Sequence, residues 1–316
     1  MPFDLETLKA GWRQRIRAVA ASGRLPILDI ESSFPAGRFD PARYSQDMDE
    51  QGVALTVFSA QAQGKWSEST RRLIAIDPSR YIPAGQAGEQ AAWLDTPQAM
   101  LEDNETRLLQ EGHPIMGEFE IRHYPSPREL RRSGQDRDVD VPIDGAVGHR
   151  LFQAARKTGR PFEIHYEIED ALLDPLEGML RQYPDVKVIW CHVAQIRFQA
   201  KATRYNAAYV RRLIETYPNL YFDTAFGGPD STYGPRGEYH ARIWDREHGG
   251  IQAEWAQLIR DHPWRFVAAL DIGGDRMDRL SEWTATLRRF LDALPPEARE
   301  IVAYKAAWKL LFNEDF

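Results

Sequence analysis

A chain of 316 residues with 40 Lys and Arg against 47 Asp and Glu carries a net charge of -7, which argues against an extended nucleic-acid-binding face. Its single cysteine, Cys191, excludes an internal disulfide and a cysteine-only metal knot. No run approaches the roughly 18–20 apolar residues of a membrane span, and the N-terminus has no signal-peptide core, so a cytoplasmic protein without membrane or nucleic-acid partners is expected.

Apolar spacing predicts an amphipathic helix over residues 5–21, stopped at Gly23, and a first strand over 25–30 that runs into Asp29-Ile30-Glu31. Alternation puts those two carboxylates on one side of the strand. A short helix over 41–50, a strand over 52–59, a helix over 67–75 and a third strand from Tyr81 to Ala84 follow. A helix over 97–110 leads into the fourth strand, 114–121, which ends among Glu118, Glu120, Arg122 and His123. The hydrophilic stretch 124–141 reads as an exposed excursion, a loop or a lid.

From Pro161 to Ala194 the pattern is strand, helix, strand: P-F-E-I-H, a helical segment over 170–183, then V-K-V-I-W-C-H. Each strand leads to a histidine, His165 and His192. A helix over 203–217, a seventh strand over 220–225 with Asp223, and a long Gly/Pro loop over 226–250 carrying His240 come next. The last units are a helix over 251–260, an eighth strand over 265–271 that ends in Asp271, and helices over 280–294 and 297–312. Eight strands alternating with helices, with no linker between halves, predict a single α/β domain. It would be a (β/α)8 TIM barrel over about 25–275 with an extra N-terminal helix and C-terminal helices. There is no G-x-G-x-x-G after the first strand and no P-loop sequence, so nucleotide readings lose their support.

In a barrel the strand ends converge at one mouth. Asp29, Glu31, Glu118, His165, His192, Asp223 and Asp271 therefore become candidates for one site. Imidazoles and carboxylates together suit a divalent ion such as Zn, Mn or Fe, which would activate water and polarise a carbonyl. Each residue has a plainer explanation too. Asp29 can cap a turn, Asp223 can bind loop backbone, and a lone strand histidine is often an ordinary core group. Asp271 ends the apolar run F-V-A-A-L, where a buried charge needs a cation beside it. Alternation sends Cys191 away from the barrel interior, against a Cys–His nucleophile pair. Arg122, His123, Arg197, Asp223 and His240 are candidates to bind substrate, and arginines at such a mouth can hold a substrate carboxylate by paired hydrogen bonds.

These segments resemble the amidohydrolase superfamily, in particular the branch related to amidohydrolase 2 and aminocarboxymuconate-semialdehyde decarboxylase. P-F-E-I-H is similar to its fifth strand, V-K-V-I-W-C-H-V-A to its sixth and F-V-A-A-L-D-I-G to its eighth. L-Y-F-D-T is similar to its seventh strand, and the closing K-A-A-W-K-L-L-F to its terminal helix. The resemblance covers about residues 25–312. It implies His165, His192 and Asp271 as catalytic residues, and a metal held by Asp29, Glu31, His165, Asp271 and Glu118. It also implies hydrolysis of a lactone, ester or amide by metal-activated water, with a homodimer as a family-level expectation. The chain departs from the pattern at the first strand, where D-x-E stands for H-x-H. An oxygen-rich metal site, a site completed by Glu118, and a metal-free lactonase all remain open on that ground. So do a decarboxylase of unsaturated or aromatic acids and a non-catalytic barrel that binds a small metabolite.

Overall fold

The computed structural model describes residues 2–34, 40–60, 66–87, 91–125, 138–233, 238–239, 243–273 and 276–316. Eight parallel barrel strands are labelled here in chain order: β1 Ile27–Phe34, β2 Val53–Ala60, β3 Tyr81–Pro83, β4 Met116–His123, β5 Phe162–Tyr166, β6 Val188–Trp190, β7 Leu220–Asp223 and β8 Phe266–Val267. β1–β3 form one ladder, and β4 to β8 form the other in chain order. Single parallel bridges join the two ladders, Ala84 to Ile115 at one seam and Ser32 to Ile272 at the other. Amides of Ile30 and Ser33 reach the carbonyls of Ala268 and Ile272 at 2.9 and 2.8 Å, so β1 meets β8 and the cylinder closes.

The connecting helices run close to their expected bounds because their start and stop signals are strong. Asp40 caps Pro41–Gln51 by accepting from the amides of Ala42 and Arg43, and Gly52 ends that helix at φ 69°, where a side chain is disfavoured. Leu5–Ala21 buries Trp12 and Ile16, and Trp12 stacks on Phe312 at 5.7 Å, so the N-terminal helix packs against the C-terminal one. Trp190, Phe222 and Phe266 stand side by side on β6, β7 and β8 with ring centroids 5.8 and 5.7 Å apart. That aromatic row faces the outer helices, which leaves the opposite face, including Asp223, to the interior.

Helices Asp170–Gln182 and Ala207–Thr216 are clamped by Glu177, which accepts from Arg212 at 2.6 and 2.9 Å and from the Tyr209 and Tyr217 hydroxyls at 2.6 and 2.9 Å. The predicted excursion over 124–141 differs in part from expectation. Val139–Asp140 pairs antiparallel with Arg122 and His123 of β4, while residues 126–137 lie outside the described ones. The eighth strand is also shorter than predicted, and Asp271 sits four residues beyond its regular part.

Candidate metal centre

Strands β1, β4, β5 and β7 and the turn after β6 supply the site. Glu118 Oε1 lies 2.9 Å from His165 Nδ1 and 3.2 Å from His192 Nε2, and the two imidazole nitrogens are 3.0 Å apart. Ligand atoms about 2.1 Å from one ion lie roughly 3.0 Å apart in octahedral and 3.4 Å apart in tetrahedral geometry. The triangle therefore has the dimensions of one face of a coordination sphere. Glu31 Oε2 stands 3.8 Å from His192 Nδ1, and neither oxygen of its buried carboxylate has a hydrogen-bond partner. Asp223 Oδ2 is likewise buried without a partner, while its Oδ1 accepts the amides of His192 and Ala225 at 2.9 Å each.

Burial, and then the carboxylates of Asp223, Glu118, Asp271 and Glu163, push Glu31 well above the usual carboxylate range. Burial works against a charged His192, yet Glu118, Asp223 and Asp271 outweigh it and hold that imidazole up at about 9. Glu118 is drawn well below its ordinary value because His165 and His192 overcome its burial. The raised Glu31 and the raised His192 state one fact: their surroundings are rich in negative charge, and the pocket favours a cation. The donors and spacing of Glu118, His165 and His192 fit a divalent ion, that cluster is able to chelate one, and the orphaned Glu31 oxygens stand beside it.

Sequence alternation fails at Cys191. Residues Cys191–Val193 leave the strand in a tight turn, with φ of 60° at His192, 48° at Val193 and 54° at Ala194. The turn brings the Cys191 thiol inward, near Glu31 and Glu118 and bonded to Asp223. Asp271 has φ 50°, so four of the five non-glycine residues with positive φ among the described residues flank this one site. Left-handed backbone costs about 1–3 kcal/mol per residue and persists where surrounding structure dictates it.

The other predicted residues fall in distinct places. Asp29 lies deeper than Glu31 and its carboxylate is fully occupied. Ser32 Oγ and Thr56 Oγ1 donate to Oδ2 at 2.5 Å each, and the amides of Leu270 and Glu31 donate to Oδ1 at 2.8 and 3.3 Å. It joins β1, β2 and β8, and burial raises it to about 7. Asp271 is bound by both arms of Arg276, at 2.5 and 2.7 Å, which supplies the cation its position demanded. Arg122 is engaged with Asp138 at 2.6 Å and the Val139 carbonyl at 2.8 Å. The His123 ring packs against His165, with centroids 4.7 Å apart. Arg197 donates to Glu167 at 2.7 Å, and Glu167 in turn meets His165 Nε2 at 3.0 Å. His240 lies outside the described residues.

Three participants escaped the sequence reading. Glu163 is buried beside Glu31 and Glu118, and its spacing of two from His165 on β5 was the available signal. Burial, then neighbouring carboxylates, raise it well above the usual range. Glu167 continues the same spacing beyond the strand. Arg276 gave no signal, since it lies outside any strand or helix pattern in the sequence.

Two cavities meet at this centre. A hole of about 10 Å³, room for one water-sized species, is walled by Glu31, Ser33, Glu118, Glu163 and Asp271. A larger pocket of about 290 Å³ opens on the other side of Asp271, lined by Phe226, Trp244, Trp283, Phe290, Gln195 and Arg276. The buried Gln195 Nε2 has no partner.

Among solved structures, the chain is similar to 5-carboxyvanillate decarboxylase from Sphingomonas paucimobilis, at 13% identity over 91% of this chain and 99% of that one, with a TM-score of 0.53. It is also similar to the 5-carboxyvanillate decarboxylase from Novosphingobium aromaticivorans, which holds manganese and 3-methoxy-4-hydroxy-5-nitrobenzoic acid. That match has 13% identity, covers 90% and 96% of the two chains, and has a TM-score of 0.50. An amidohydrolase from Burkholderia multivorans with bound zinc matches at 12% identity over 90% and 98%, with a TM-score of 0.50. At these identities the likeness establishes the fold. No curated protein matches the sequence. The amidohydrolase family profile matches residues 38–311, nearly the whole barrel, and the chain belongs to the amidohydrolase family.

Proposed function

We propose that this enzyme is a divalent-metal-dependent decarboxylase that releases CO2 from an aromatic or unsaturated carboxylic acid without an oxidant. One observation carries the reading: the imidazole–carboxylate cluster and a pocket with four aromatic side chains share a wall at Asp271. The likeness to the two 5-carboxyvanillate decarboxylases named above supports it as well. Glu31, Glu118, His165 and His192 would hold the ion, with Zn, Mn or Fe as candidates. When bound, the ion supplies Lewis-acid polarisation of a substrate oxygen and cancels the charge that would otherwise repel a carboxylate.

The chain's own groups do the remaining work. Phe226, Trp244, Trp283 and Phe290 bury the flat apolar body of the substrate, and Gln195 Nε2 donates to an oxygen on it. Arg276 fixes the Asp271 carboxyl at the boundary of the two cavities. As the carbon–carbon bond breaks, its electron pair stays on the ring or alkene carbon, which takes a proton that the Asp271 carboxylate relays from solvent while CO2 departs.

A second reading, hydrolysis of a lactone, ester or amide, draws on the water-sized hole walled by Glu31, Glu118 and Glu163, where a carboxylate is positioned to accept a proton from an attacking water. The two separate by product. The enzyme loaded with manganese or zinc is offered carboxyl-13C-labelled hydroxybenzoates and unsaturated diacids in parallel with lactones and aryl esters. Labelled CO2 from the acids alone supports decarboxylation. Acid release from the lactones or esters, with no labelled CO2, defeats it.

A further inference from the structure

We propose that Glu167 and Arg197 form a positioning pair that sets the ring orientation and tautomer of His165, and so creates the nitrogen ligand of the metal centre. This rests on the metal-site reading above. Glu167 is fully buried, as is Arg197, and the pair is joined at 2.7 Å through Arg197 Nε and Glu167 Oε2. The other carboxylate oxygen, Oε1, is 3.0 Å from His165 Nε2. An ionised carboxylate only accepts, so His165 Nε2 must carry the hydrogen. In a neutral imidazole that leaves the lone pair on Nδ1, which is the atom facing Glu118 and His192.

The same logic applies across the triangle. His192 Nδ1 lies 3.1 Å from the Ala225 carbonyl, an acceptor, so it donates, and in the neutral form that a metal ligand must take the lone pair is on Nε2. Glu118 Oε1 is an acceptor as well. With both rings in that neutral form, three electron-rich atoms converge within 3.2 Å of one another, an arrangement that a divalent cation satisfies in place of the imidazole protons. If Glu167 were apolar, His165 would be free to carry its hydrogen on Nδ1 and donate it to Glu118, closing the ligand site with a hydrogen bond. Arg197 keeps Glu167 charged in a buried setting, which makes it the stronger acceptor. Positioning partners of this kind are worth about 10–100-fold in metal affinity.

His123 also lies near this side of His165, so the rival assignment makes Glu167 a direct ligand of a second ion with His123 and His165. Arg197 on the free side of the carboxylate opposes that assignment, because a guanidinium and a divalent ion would compete for one group.

The experiment uses full-length wild type, Glu167→Ala, Glu167→Gln and Arg197→Met, each verified by circular dichroism and melting. Manganese and zinc binding to the metal-free proteins is followed by calorimetry, and the His165 tautomer by 15N NMR of labelled histidine. Glu167→Ala is expected to lose about 10–100-fold in affinity at a stoichiometry of one ion and to lose the fixed Nε2–H signal. Glu167→Gln, whose amide oxygen still accepts, is expected to recover most of both. Unchanged affinity and tautomer in a folded Glu167→Ala overturn the proposal. So does wild type binding two ions where Glu167→Ala binds one. Because the tautomer is read in metal-free protein, failure of the decarboxylase reading leaves this test intact. A wild type that binds neither metal refutes the metal site itself.

Discussion

Asp29 and Glu31 sit two residues apart on one strand face, yet they are expected to respond oppositely to substitution. Asp29→Ala leaves the buried amides of Glu31 and Leu270 without an acceptor and frees the hydroxyls of Ser32 and Thr56. Each orphaned buried amide costs about 1–3 kcal/mol, and the missing side chain adds a small cavity, for a total of about 3–5 kcal/mol. For a chain of this size that lowers Tm by about 6 °C. Asp29→Asn keeps an acceptor for both amides, and the two hydroxyls rotate to accept from its Nδ2, so it loses only about 1 kcal/mol at pH 4. The pH dependence follows from a carboxyl raised to about 7 in the fold from an ordinary 3.8. Below the lower value Asp29 is neutral in both states. Between pH 4 and 7 the unfolded chain ionises first, so this group's stability is lost as pH rises through the folded value, by roughly 4 kcal/mol. Asn has no such loss and gains on wild type over that window. Differential scanning calorimetry at pH 4, 5.5 and 7, with manganese titration of each protein, measures both effects. An Asp29→Ala variant that melts with wild type, or an Asp29→Asn variant that fails to bind metal, refutes the assignment of Asp29 as a structural clasp.

Other substitutions divide the site by role. Glu31→Gln and His165→Ala are each expected to reduce metal affinity at least 10-fold in dialysis with a metal-sensitive dye. If Asp271 relays the proton as proposed, Asp271→Asn keeps the ion and loses product formation. Trp283→Ala is expected to raise KM about 5–10-fold with little change in metal content, from about 1–1.5 kcal/mol of lost aromatic packing. Away from the site, Glu177 is held at about 2, chiefly by its bonds to Arg212. That stabilisation is present above its ordinary value and is lost as pH falls through about 2. Glu177→Gln should therefore melt below wild type at pH 7 and converge with it near pH 2, as followed by circular dichroism.

Much of the barrel was readable because each strand and helix carries its own local signal. The helix over Leu5–Ala21 and the strand Phe162–Tyr166 match their predicted extents for that reason. His165 was likewise fixed by alternation along β5, and the same rule applied to Glu163 would have found it. The inward turn of Cys191 was not readable, because alternation ends where the backbone turns left-handed at His192. Nor could one strand distinguish Asp29 from Glu31. The difference lies in Thr56 of β2 and Leu270 after β8, which surround one carboxylate and leave the other bare. The partner of Asp271 was hidden for a similar reason, since no strand or helix periodicity links it to Arg276.

The most direct test of the metal centre is elemental analysis of wild type and His165→Ala prepared without chelator, followed by manganese titration of both. About one divalent ion is expected per wild-type chain, removed by chelator together with product formation and restored by manganese, and little or none in His165→Ala. Metal-free wild type that turns over substrate at an undiminished rate would contradict it.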